Sequence, residues 1–190
     1  MPTIFSHAVA ASALGLAGSR LGRAGSEGPG LRDLRDRAQL PSFWFWTVFC
    51  SMLPDADVIG FSFGIRYGDL LGHRGLSHSL LLAAFTGLVI GRMLGGRPLT
   101  MVYFAAVTAS HGILDACTDG GLGVAFFSPF DAHRYFFPWR PIQVSPIGPG
   151  FFSPRGLRVL ASELRWIWIP SAAVAAAAWA RHRKGSRLEP

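Results

Sequence analysis

Apolar residues fall in five blocks along the chain: residues 4–18, 43–53, 79–94, 99–117 and 166–180. A lone membrane-spanning helix needs about 20 apolar residues, and only 99–117 approaches that length. Block 43–53 suits a half-buried or re-entrant segment, with an amphipathic lead-in from Leu31. The pattern predicts an all-α integral membrane protein with about five (four to five) membrane helices. Several blocks end in His or Asp, which brings polar chemistry to one side of the membrane.

The connections carry their own signals. Residues 22–30 (GRAGSEGPG) hold four Gly and one Pro and predict a flexible cytoplasmic linker. Residues 118–163 predict an irregular outer loop or lid, whose part 126–152 is rich in Pro, Phe and Gly. Residues 181–190 form a basic cytoplasmic tail, which serves as an orientation signal or binds anionic headgroups. No internal repeat appears, so 1–190 reads as one membrane-embedded domain. The first block ends in small residues like a signal peptide but lacks a basic n-region, which predicts its retention.

Orientation follows from the basic residues. Eleven of the 18 Lys and Arg lie in 20–40, 92–98 and 181–190, and seven in 54–78 and 118–165. The positive-inside rule then puts the C-terminus in the cytoplasm, and the N-terminus and two larger polar loops outside. This predicts a multi-pass membrane protein whose polar loops face outward.

Composition agrees. Half the residues are apolar and 15% are charged, against about 25% charged in soluble chains. The 15 Phe and six Trp argue against disorder. Cys50 and Cys117 are too few for a disulfide framework or a Cys-rich zinc site. The net charge of +7 suggests nucleic acid, but no basic run is interleaved with surface aromatics. Membrane lipids are the expected partners; nothing in the pattern addresses oligomeric state.

Seven ligand-type residues converge on the outer side: His7, Asp55 and Asp57 in PDAD, His73 and His78 in HRGLSHS, and His111 and Asp115 in HGILD. A charged carboxylate in the bilayer costs about 2.5–3.5 kcal/mol on insertion scales, and a divalent cation is an efficient partner. His111 and Asp115 at i,i+4 share one helix face, as paired zinc ligands do. Imidazole and carboxylate together suit Zn²⁺, as one or two ions, with Mn²⁺ or Fe as alternatives. The plainer alternative is a helix-end His bonded to a neighbouring Asp.

Asp55 and Asp57 follow Pro54, where extended geometry would turn them apart, one to the metal and one to water or a histidine. An Asp N-cap or Asx-turn accounts for one of them but not both. Ser77 is the expected cap of the third block, leaving His78 in a first turn that favours neutral imidazole. Asp55, Asp57 and His73 are also the candidates for the catalytic step. Asp119, His133 and His182 rank second: turn, aromatic loop and tail positions. Arg74, Arg134 and Arg140 lie on the outer side, and their forked donors suit phosphate. Tyr135, Phe136, Phe137 and Trp139 read as an interfacial belt or the lining of an acyl channel.

The pieces LPDAD (53–57), GHRGLSHSLL (72–81), HGILD (111–115) and SPFDAHRYFFPWRPI (128–142), with His7, resemble the YdjM family of bacterial inner-membrane proteins. The resemblance covers most of residues 3–148 and implies a metal-dependent hydrolase. That family is more distantly similar to zinc-dependent phospholipase C, an all-helical enzyme whose zinc cluster uses an HxxxD pair. His111 and Asp115 match that pair, and His7, Asp55 and His73 or His78 would take the scattered roles. No later HxxxE pair exists here, which implies one or two ions instead of three.

The expected activity is hydrolysis of a lipid phosphate ester at the outer face. Cleavage of a lipid amide or ester by the same activated water is the enzymatic alternative. A non-enzymatic metal-binding or transport protein is the third reading, disfavoured by the lack of an acidic or His residue mid-span toward the cytoplasm.

Overall fold

The computed structural model describes residues 1–20, 28–146 and 148–186, the side chains from 182 onward excepted. The described residues form seven α-helices: α1 Ile4–Ser19, α2 Pro29–Arg37, α3 Pro41–Met52, α4 Leu80–Met93, α5 Pro98–Ala116, α6 Pro154–Glu163 and α7 Ile169–Ser186. Four of them open on proline, whose missing N–H is not needed in a first turn. Helix α3 gives way at Leu53–Pro54 to a 3-10 segment, Leu53–Phe63. A π turn, Leu164–Trp168, joins α6 to α7. Among the described residues there is no strand. Two isolated bridges, Thr118 with Ile142 and Val124 with Tyr135, fold the loop after α5 back on itself.

Helices α4 and α5 form a close hairpin. A Cβ on Gly87 would lie 2.4 Å from the backbone nitrogen of Ala105, so glycine sets this approach. Helix α1 packs on α3 and α7, and α3 packs on α5. Their shared core includes Ala11, Phe43, Cys50, Tyr103, Phe104 and Val107. Helix α2 straps the far end of the hairpin. Asp33 accepts from the Arg97 backbone N–H at 2.9 Å and Thr100 Oγ1 at 2.7 Å, at the start of α5. Arg37 donates to the carbonyls of Leu94 and Gly95 at the end of α4. Each charge has the sign that its helix terminus favours.

The distribution of polarity is the reverse of a soluble protein's. Phe5, Phe45, Phe49, Phe85, Leu88, Met93 and Val102 are exposed on the helices, while His7, His73, Arg74, His78, His111 and Asp115 are buried.

Three sequence expectations change. Five helices fall on the five apolar blocks, but only α5 is long and apolar enough to cross a membrane by itself; α1 and α4 are apolar and shorter. Pro41 opens α3 and the break at Leu53–Pro54 ends it, which keeps that helix short. The predicted linker ends early: Pro29 and Gly30 already belong to α2, and residues 22–27 lie outside the described set. The predicted outer loop also ends early, because Ser153 begins α6. Residues 187–190 of the tail lie outside the described set, and 181–186 continue α7.

Candidate metal centre

Four segments meet where α1, α3 and α5 come together at one end of the hairpin. Helix α5 brings His111 and Asp115, one turn apart on its buried face. The 3-10 segment brings Asp55, the short turn Leu76–His78 brings His78, and the first turns of α1 bring His7. Ligand atoms of Asp55, His78, His111 and Asp115 all lie within 4.8 Å of one another, and all four side chains are buried. His111 Nε2 is 3.2 Å from Asp55 Oδ1, and His78 Nε2 is 3.4 Å from Asp115 Oδ2. The His7 ring stacks on His111 with centroids 3.7 Å apart, its Nε2 3.7 Å from Asp115 Oδ1.

These inward-facing atoms lack hydrogen-bond partners. They include His78 Nε2, His111 Nε2, both ring nitrogens of His7, both carboxylate oxygens of Asp55 and Oδ1 of Asp115. Orphaned buried polar atoms are rare in folded proteins, and an ion is one of the few things that satisfies several at once. The outward nitrogens are held. His111 Nδ1 lies 2.7 Å from the carbonyl oxygen of Ser51, which can only accept, so Nδ1 carries the proton and Nε2 turns its lone pair inward. His78 Nδ1 lies 3.2 Å from Asp57 Oδ2 and 2.9 Å from Ser77 Oγ. Bonds of this kind fix the tautomer of metal-binding histidines.

Asp57 is the hub of this outer layer. It also lies 2.7 Å from His73 Nδ1, and accepts from the Arg74 backbone N–H at 3.2 Å and from the Ser77 hydroxyl.

Arg74 lies beneath the cage, fully buried. Its Nε is 2.9 Å from Asp115 Oδ2, while its other nitrogens donate to Gly120 O at 3.0 Å and Thr118 Oγ1 at 3.1 Å. Three carboxylates and one guanidinium leave two negative charges. A divalent cation among neutral imidazoles balances that charge, and the nitrogen and oxygen donors suit zinc.

All seven predicted ligands therefore gather here, with a division of labour the sequence did not disclose. Asp55 faces the cage and Asp57 the histidines, but from a 3-10 segment instead of an extended turn. Ser77 does not cap α4; Ser79 does, accepting from the Leu82 N–H at 3.1 Å. His78 precedes that cap, and carboxylates, not a helix terminus, surround its ring.

The three arginines separate. Arg74 spends its donors on protein acceptors. Arg134 donates to the carbonyls of His73, Tyr67 and Asp69 at 3.0, 3.1 and 3.3 Å, stapling the 67–73 loop. Both are thereby structural and not open to phosphate as expected. Arg140 is exposed, 4.8 Å over the Phe136 ring. Asp119 accepts from the Val144 N–H and His133 is exposed, so neither joins the cage.

The Asp57→Asn variant should keep its shape and lose charge behind two histidines. Its zinc affinity, measured by competition with a chromophoric chelator, should fall by about 10–100-fold.

A family profile described as YdjM inner membrane protein matches residues 1–186. Inner membrane protein YbcI of Escherichia coli (strain K12) is 34% identical over 189 residues, covering 96% of this chain and 100% of that protein. No solved structure matches.

Proposed function

The chain belongs to the YdjM family of inner membrane proteins, and from that premise we propose that it is a membrane-embedded, metal-dependent hydrolase of a lipid phosphate ester. The observation that carries this reading is the cage of four buried donors with orphaned inner atoms and two tautomer-fixed histidines. Its membrane setting is an inner-membrane, multi-pass one, in which the short helices complete their crossing together with the 3-10 segment and loops. The distribution of Lys and Arg supports an outward-facing cage.

Asp55, His78, His111 and Asp115 hold the ion, and His7 covers one side. Bound zinc would polarise a phosphoryl oxygen and lower the pKa of water to about 7. His73, oriented through Nδ1 by Asp57 at 2.7 Å, is the group placed to move a proton. Arg140 is the exposed cation left to meet phosphate. Phe63, Phe130, Trp139 and Phe152, all strongly exposed, suit contact with lipid.

The test is turnover of lipid phosphates in mixed micelles by the zinc-loaded protein. Chelator-sensitive release of phosphate or a phosphorylated headgroup is expected, lost in His73→Ala with zinc retained. Cleavage confined to lipid amides or esters would move the reaction to that bond. The burial of all four donors favours one other reading, a structural ion tying four segments together. Tightly held zinc with no turnover of any lipid would establish it.

A further inference from the structure

Glu163, at the end of α6, is a fully buried acid outside the metal cage. Its carboxylate accepts three hydrogen bonds from the start of α1: the Thr3 N–H at 2.5 Å, Thr3 Oγ1 at 2.6 Å and Ser6 Oγ at 2.7 Å. Thr3 occupies the N-cap position of α1, yet its own side chain makes no cap. Glu163 therefore caps the helix from the other end of the chain, with the charge that a helix N-terminus favours.

A second observation points the same way. Trp168 donates its Nε1–H to Ser6 Oγ at 2.7 Å. Residues five apart on a regular α-helix sit about 140° apart around the axis. The π turn Leu164–Trp168 widens the coil and brings Trp168 round to the side of Glu163. Such turns recur at functional sites, and this one aims two side chains at one turn of α1.

His7 follows Ser6 directly. His78 and His111 are each held through Nδ1, but neither ring nitrogen of His7 has a hydrogen-bond partner. Its direction toward Asp115 rests on the backbone of the first turn and on stacking against His111. We propose that Glu163 is a positioning residue of the metal centre: it pins the first turn of α1 so that His7 closes one side of the cage. This rests on the metal-centre reading above.

The experiment compares zinc affinity and the visible spectrum of the Co²⁺ form for the full chain in detergent. The variants are His7→Ala, Glu163→Ala, Glu163→Gln, Ser6→Ala and the His7/Glu163 double alanine, with His111→Ala as control. Glu163→Ala should weaken zinc binding about tenfold and change the cobalt spectrum as His7→Ala does. The amide of Glu163→Gln can keep the network by reversing the two hydroxyls, so affinity and spectrum should stay near wild type. Ser6→Ala, a gentler change, should shift the spectrum in the same direction by less, and serves if Glu163→Ala does not fold. The double variant should bind no more weakly than His7→Ala alone. A wild-type spectrum and affinity in Glu163→Ala with only a lower Tm, or additive losses in the double variant, would overturn the inference. Should wild type bind neither metal, the inference falls together with the reading it rests on. Wild-type binding that is lost in His111→Ala and kept in Glu163→Ala refutes this inference alone.

Discussion

Zinc carried by the purified protein should be lost from the His111→Ala variant, and equally from Asp115→Ala. If four donors share the roughly 10–16 kcal/mol of a structural zinc site, each is worth about 3 kcal/mol, or on the order of a hundredfold in affinity. Mass spectrometry of metal content and chelator competition both read this loss; retention of zinc by either variant would remove the cage as the binding site. The loss should carry a pH signature: imidazole and carboxylate bind metal only when deprotonated, so zinc affinity should fall as pH is lowered.

Arg74→Met should be the most damaging single change to the fold. It leaves Asp115 buried without its guanidinium, and removing one partner of a buried pair costs about 3–5 kcal/mol. Calorimetry should show a large drop in Tm. Arg74→Lys should recover little, since one ammonium cannot reach Asp115, Gly120 O and Thr118 Oγ1 from a single position. Saturating zinc should restore part of the lost Tm, because the ion supplies positive charge to the same carboxylate. A Met variant as stable as wild type without zinc would show that Asp115 does not depend on Arg74. The backbone adds to the constraint: Arg74 sits at φ +63°, an uncommon conformation for a residue with a side chain.

The sequence makes the inner donors readable because their signals are local. His111 and Asp115 share a helix face by spacing, and Asp55 follows the proline that ends α3. What Asp57 and Arg74 do is not local. Asp57 reaches His73, Arg74 and Ser77 across a turn, and Arg74 reaches Thr118 and Gly120 in the following loop, so charge type alone suggested catalysis and phosphate. The Ser51 carbonyl that fixes His111 leaves no mark in sequence at all. Helix α6 lies inside the stretch read as an outer loop, although Pro154 suits a first turn and Val159 and Glu163 share its buried side. Glu163 carries no local signal, because its partner Thr3 lies 160 residues away.

That pairing has a consequence for biosynthesis. The ribosome delivers Thr3 160 residues before Glu163, so the start of α1 waits for α6 before its leading N–H is satisfied. Until then Asp55 and His7 enter the membrane ahead of His111 and Asp115, which arrive with α5. A nascent chain stalled between residues 116 and 163 would hold every donor of the cage while His7 still hung from an uncapped turn. Completion of the site is thus deferred until α6 has been made and folds back onto the start of α1.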